Sequence, residues 1–294
     1  MLQIEDASVA TKLEALHQYL TTLGSVLVCY SGGVDSAFVL AAAHRALGDK
    51  AVGMTAVSPS LAAGELEDAA RVAREIGAVH RLVESHEIDD PGYQANAVDR
   101  CFYCKSELYR IAAKKQREWG LEHVVNGTNV EDLGDYRPGL KAASEAGVKS
   151  PLVELGFDKA AVRAGARLLG LEVWDKPAAA CLSSRIPFGT RVTAERLAQI
   201  GRFEAALKAL GFRRVRVRFH PAGTGAEHAF ARIELDVEEI TRAAQPETRE
   251  AIVRSGRDAG FAYVTLDLAG YRMGSHNEVI ANRAEPRRAL PVLG

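Results

Sequence analysis

The chemistry is densest in six consecutive residues, Ser31-Gly32-Gly33-Val34-Asp35-Ser36. Two adjacent glycines after the apolar run Val26–Tyr30 let backbone N–H groups approach an anion with no Cβ in the way. The alanine-rich stretch that follows, to about Leu47, reads as a helix. Its first N–H groups and positive dipole end would face the same spot. Ser31 and Ser36 add hydroxyl donors, and Asp35 adds a carboxylate. The string is neither the GxxxxGK[ST] loop, with its lysine, nor a dinucleotide GxGxxG. An ordinary glycine turn is the plain alternative; a phosphate cradle is the reading that uses every residue.

A second polar turn, Asn126-Gly127-Thr128-Asn129, follows another short apolar run and offers further nucleotide contacts. Beyond it, Asp132, Asp135 and Arg137 are candidates for metal or substrate contact, or simply a solvated loop. Of the four cysteines, Cys29 lies inside the first apolar run and reads as a small buried hydrophobe. Cys101 and Cys104 form a CxxC expected at the mouth of a loop, with a helix running Cys104–Trp119. Such a pair can bind metal, act as a redox couple or hold part of a cluster. A zinc site would want a fourth thiolate or histidine, and neither a second CxxC nor an HxxxH exists. With Cys181 the count becomes three, which leaves one position open on a four-iron cluster; three unrelated cysteines is the alternative.

Alternating elements must position these groups. A helix over 9–23 precedes a strand at Val26–Tyr30. Strands are expected at Ala51–Val57, Val79–Val83 and His123–Asn126, with helices at Leu61–Ile76, Leu140–Ala146 and 158–170. Apolar strands alternating with helices predict an α/β fold, a parallel sheet with helices on both faces. The texture changes near Pro187-Phe188-Gly189. A helix over Ala194–Leu210, strands at Val215–Phe219, Phe230–Leu235 and Tyr263–Leu268, and a helical Val237–Ala259 interrupted by Pro246 predict a small α+β domain. The expected boundaries are 1–189 and 190–294.

Bulk properties narrow the partners. The 294 residues are 47% apolar and 26% charged, as in a soluble globular protein. Net charge is −1, from 37 basic and 38 acidic side chains, without the basic excess of a nucleic-acid binder. No apolar run is long enough to span a bilayer, and the first residues lack a signal-peptide core. A cytoplasmic protein acting on a small molecule is expected, with no membrane and no nucleic-acid partner.

SGGVDS resembles the signature of the PP-loop ATP pyrophosphatases, which cleave ATP between the α and β phosphates and leave AMP on a substrate oxygen. Together with GTNVEDLGDYRPGLKAASEAGVKSPL, KPAAACLSSRIPFG, VRVRFH, ARIEL and YVTLDLAGYRMGSHN, it resembles the LarE family of ATP-dependent sulfur transferases along nearly the whole chain. That resemblance implies ATP and Mg²⁺. It also implies, as substrate, pyridinium-3,5-biscarboxylic acid mononucleotide, whose carboxylates become thiocarboxylates during assembly of a nickel-pincer cofactor. Ser31, Gly32, Gly33, Asp35, Ser36, Gly127 and Lys105 become the expected nucleotide contacts. Cys101, Cys104 and Cys181 become ligands of a [4Fe–4S] cluster, or Cys181 a sacrificed sulfur donor that ends as dehydroalanine.

In the small domain, Arg214, Arg216 and Arg218 alternate along one strand face. The resemblance makes Arg216 and Arg218 contacts for the substrate phosphate, with Ser183, Ser184 and Arg185 beside Cys181 assisting. Glu234 is a metal ligand or a core-edge carboxylate. By the same analogy the protein is expected to be a homo-oligomer, a hexamer. The rival readings are a PP-loop tRNA thiolase, an ammonia-dependent synthetase of the NAD or GMP type, and a nucleotide sensor without catalysis.

Overall fold

The structure, a computed structural model, describes residues 2–134, 138–177, 180–222 and 229–272, without the side chains of residues 2–7, Ala63 and Pro138. Asp135 and Arg137 lie outside the described residues. The chain divides into two compact units: Met1–Cys181 with Arg191–Thr193, and Leu182–Thr190 with Ala194–Gly294. Among the described residues no helix is long and apolar enough to cross a membrane.

The larger unit is built on four parallel strands, β1 (Val26–Cys29), β2 (Ala51–Val57), β3 (Val79–Glu84) and β4 (His123–Val125), in the order β3-β2-β1-β4. β1 and β2 are the most deeply covered, and their side chains are correspondingly apolar. Helices α1 (Leu2–Thr22), α2 (Val34–Leu47) and α3 (Ala63–Ile76) follow in sequence. α2 is buried from Val34 to Ala43 except at Asp35, so its small alanines suit a helix packed on several sides. Gly165 lets the helix Lys159–Leu168 close on α2, because a Cβ there would lie 2.7 Å from the Phe38 ring. Phe38 in turn packs on Phe157 with centroids 5.5 Å apart.

The helix carrying the CxxC differs from expectation. It runs Arg100–Glu118, so Cys101 and Cys104 both stand on its first turn rather than at the mouth of a loop. Arg100 explains the earlier start: it is buried and donates to Asn96 Oδ1 at 2.6 Å, one turn back. Asn96 is itself buried in the left-handed region, at φ 53.

The smaller unit pairs β5 (Val215–Pro221) antiparallel with β6 (Ala229–Leu235), and β6 parallel with β7 (Tyr263–Leu266). The helix Ala194–Ala209 buries Leu197, Ile200, Phe203 and Leu207, at helical spacing. Phe261 joins Phe203 and Phe219 in the same core. Pro246 begins the helix Pro246–Asp258 at a position where its missing N–H costs nothing, which splits it from Ile240–Ala244.

Candidate active site

β1 has β2 on one side and β4 on the other, reached by chain that runs in opposite senses from it. The carboxyl ends of β1 and β4 therefore form a topological switch point, where open α/β sheets bind ligands. Both polar turns stand there. Ser31–Gly33 follows β1, and Asn126–Asn129 follows β4.

Close packing, more than side-chain bonding, shapes the first turn. Gly32 has φ +75, and a Cβ there would meet Ala69 of α3 at 2.8 Å. Tyr30 donates to the carbonyl of Ala69 at 2.9 Å and fixes the same approach. Within the loop, Ser31 N–H donates to Ser36 Oγ at 3.1 Å, and Ser36 Oγ donates to Gly33 O at 3.1 Å. The second turn backs onto the first. A Cβ on Gly127 would lie 2.7 Å from the Ser36 nitrogen, so only glycine lets this turn touch the start of α2. Asn126 Oδ1 accepts from Thr128 N–H and from Ser150 Oγ, which holds the turn from within.

Asp35 is where the two turns exchange side chains. Asn129 Nδ2 donates to its Oδ1 at 3.1 Å, and Lys159 Nζ donates to its Oδ2 at 2.5 Å. Asp132 accepts from Asn129 N–H and so braces the turn. Lys159 is a site residue that sequence reasoning missed. A signal existed: it occupies the first position of the helix Lys159–Leu168, behind the N-cap Asp158, where the helix dipole disfavours a cation. A lysine held there by a carboxylate points to a role beyond helix stability.

The cysteines gather in the same unit. Cys101 is exposed, Cys104 half-buried and Cys181 exposed. Burial pushes the Cys104 thiol up to about 12, and Cys181, Glu87 and Cys101 act on it in the same direction, against Lys105. Cys29 packs half-buried between apolar clusters, and burial pushes its thiol up to about 12 as well. Burial would pull Lys105 down, but Tyr109, Cys104, Cys29 and Cys101 around it outweigh that and raise its pKa. Its side chain remains water-accessible, and its stem lies where a Cβ on Gly139 would come within 2.8 Å.

Among the described residues no three His, Cys, Asp or Glu side chains converge on one metal ion. A four-iron cluster asks for something else, since each thiolate binds a different iron. Cys101 and Cys104 share one helix, and Cys181 lies in the same unit.

The smaller unit carries the expected arginines. β5 is buried from Val215 to Phe219, so this is not a solvated basic face. Arg218 donates through Nε and Nη2 to the two oxygens of Glu234, each at 2.9 Å, and through Nη1 to Ser184 O. Arg185 reaches Glu204 in the same two-pronged way, at 2.8 and 3.2 Å, and Ser184 Oγ at 3.0 Å. Glu204 also accepts from Val217 N–H. Glu234, fully buried, lies within ion-pair distance of Arg232 too, so arginines occupy both its oxygens. Arg214 is exposed and pairs with Asp236. Arg216 differs from all of these. It is 8% exposed, stacks on Tyr271 at 4.4 Å and, among the described residues, donates only to Arg272 O, at 3.4 Å. Burial, then the nearby Arg218 and Arg185, lower its pKa.

No family model matches the chain. An uncharacterised protein of Synechocystis is 46% identical over 92% of this chain and 98% of its own length. A glutamine-hydrolysing GMP synthase component from Archaeoglobus fulgidus is 27% identical over 56% of this chain and 55% of its own. The pyridinium-3,5-bisthiocarboxylic acid mononucleotide synthase of Lactiplantibacillus plantarum is 38% identical over 93% of this chain and 96% of its own. A likeness at that level, spanning nearly the whole of both chains, makes this chain a member of the LarE family.

Proposed function

We propose that this protein is an ATP-dependent sulfur transferase, which adenylylates each carboxylate of pyridinium-3,5-biscarboxylic acid mononucleotide and converts it to a thiocarboxylate. The observation that supports this most is a lysine-free phosphate loop, backed by Gly127 at the sheet's switch point, in the same unit as Cys101, Cys104 and Cys181.

A substrate carboxylate oxygen attacks the α-phosphorus of ATP, and pyrophosphate leaves with the electrons of the broken P–O bond. A sulfur nucleophile then attacks the carbonyl carbon of the acyl adenylate, and AMP leaves with the electrons of the C–O bond. Backbone N–H groups of Ser31–Gly33 and the first turn of α2, with the hydroxyls of Ser31 and Ser36, hold the phosphates where charge develops. Asp35 is the carboxylate that would hold Mg²⁺, which neutralises phosphate charge. Lys159, and Lys105 beside the thiols, bring the positive charge that a Walker lysine brings elsewhere.

Cys101, Cys104 and Cys181 would hold a [4Fe–4S] cluster, which when bound presents sulfide as the nucleophile. In the smaller unit Arg216, which pairs with no carboxylate among the described residues, contacts the substrate phosphate, while Glu204 and Glu234 hold Arg185 and Arg218 in place.

Protein purified without oxygen tests the sulfur route. A brown protein with iron–sulfur absorbance, lost on changing any one of Cys101, Cys104 and Cys181 to alanine, supports it. A colourless protein whose Cys181 becomes dehydroalanine after one turnover overturns the cluster and makes Cys181 the sulfur source.

A further inference from the structure

Lys176 lies on the segment between the helix Lys159–Leu168 and Cys181. Its ammonium donates to Glu65 Oε2 at 3.1 Å and to Asp68 Oδ2 at 2.8 Å, both on the first turns of α3. The same segment is tied to α3 again by Glu172, which accepts from Arg71 Nη1 at 3.2 Å. The Lys176 side chain is 19% exposed and those of its partners 24% and 40%. Burial would raise the Asp68 carboxyl, but Lys176 and Arg71 outweigh it and bring it down. Lys176 rises for the converse reason, burial being outweighed by Asp68 and Glu65.

The clamp matters because of what else α3 touches. Ala69, the residue after Asp68, is the one against which Gly32 of the phosphate loop packs, and its carbonyl accepts from Tyr30. One stretch of one helix therefore supports the phosphate loop on one side and Lys176, five residues before Cys181 in sequence, on the other. Nothing in the adenylylation chemistry uses Lys176 directly.

We propose that Lys176 is a positioning residue that, through Glu65 and Asp68, sets the place of Cys181 relative to the phosphate loop, so that sulfur delivery depends on it and adenylylation does not. This rests on the function proposed above. Reacting groups must be held in register, and a shift of about 1 Å can cost about a hundredfold in rate. Loosening the Cys181 segment while leaving α3 and the phosphate loop packed should therefore separate the two half-reactions.

The test compares the full-length enzyme with Lys176→Met and Lys176→Arg. Substrate-dependent pyrophosphate release and thiocarboxylate formation are measured on the same samples. In Lys176→Met, pyrophosphate release should stay within about twofold while thiocarboxylate formation falls at least about tenfold, as water in place of sulfur hydrolyses the acyl adenylate to AMP and the original carboxylate. Lys176→Arg, which keeps the charge, should restore most of the loss. Losses in equal proportion, or no loss, overturn the proposal. If Lys176→Met does not fold, Glu65→Gln is read by the same criteria.

A second readout needs no turnover. In metal-free protein, iodoacetamide alkylation at Cys181, followed by peptide mass spectrometry, should change at least about threefold in Lys176→Met while that at Cys101 holds. An unchanged ratio overturns the positioning role. Should the unaltered enzyme release no pyrophosphate with the pyridinium nucleotide, the functional reading falls, and the alkylation ratio alone decides the role of Lys176.

Discussion

The phosphate loop and the arginine strand both suggest anion binding, but they are built in opposite ways. The loop offers backbone donors, aimed by close contacts that only glycine permits at Gly32 and Gly127. The arginine strand and its surroundings offer charges, and most are already engaged: Arg218 on the strand by Glu234, Arg214 just before it by Asp236, and Arg185 from the segment Leu182–Arg185 by Glu204. The internal acceptors on the loop's backbone donors are neutral hydroxyls, Ser36 Oγ for Ser31 N–H and Ser31 Oγ for Gly33 N–H, which an anion can displace. A buried guanidinium costs too much to leave unpaired, so carboxylates accompany it, and the arginine that lacks one becomes the informative residue. That residue is Arg216, packed on Tyr271 and flanked by two paired arginines.

The loop is where a single substitution should do most damage. Asp35→Ala should lower substrate-dependent pyrophosphate release by about a hundredfold or more, as losing one preorganised transition-state contact does. The thermal midpoint should hold, since the pairing with Lys159 is part-exposed. Wild-type turnover in this variant would leave the loop without a catalytic carboxylate. Next in size is Arg218→Met, which strands Glu234 without one of its partners and should cost about 3–5 kcal/mol in guanidinium unfolding. Adding Glu234→Leu should recover most of that, because an apolar pair of similar volume replaces a buried ion pair at little cost.

Arg216→Met separates the paired arginines from the unpaired one. It should weaken substrate binding by about 1.5–3 kcal/mol, the worth of a charge-assisted hydrogen bond, and leave ATP binding unchanged. Stability should not fall as it does for Arg218→Met, since no carboxylate is left behind; calorimetry and unfolding on the same sample decide. The effect that is smallest near neutral pH is a pH dependence in the larger unit. Burial pushes the Cys29 and Cys104 thiols from 9.0 up to about 12. Below pH 9 both folded and unfolded chains keep these protons, and their contribution to stability is complete. As pH rises towards 12 the unfolded chain ionises first, so stability falls. Cys104→Ala should flatten that fall in metal-free protein.

Legibility followed the same division. The alternating strands and helices of the larger unit were readable because apolar runs and glycine turns report local requirements, as at Val26–Cys29 and Ser31–Gly33. The helix start at Arg100 was not, because a buried bond to Asn96, and not the local pattern, sets it. The partners of Lys159 and Lys176 were not legible for a similar reason: each meets a carboxylate more than a hundred residues away. On β5 the alternation of arginine with valine was plain, yet it could not say which arginines carry a carboxylate. Register places Arg216 opposite Glu234, while the bidentate pair forms diagonally, from Arg218.

If this protein uses ATP to exchange carboxylate oxygen for sulfur on a pyridinium nucleotide, both halves of that exchange can be followed in one experiment. Anaerobic protein is incubated with ATP, Mg²⁺, sulfide and pyridinium-3,5-biscarboxylic acid mononucleotide, and nucleotides and substrate are followed by mass spectrometry. AMP and pyrophosphate should form in dependence on the mononucleotide, together with product in which one and then two oxygens have been replaced by sulfur. ADP and orthophosphate, or a substrate whose mass never changes while ATP is consumed, would refute the sulfur transfer.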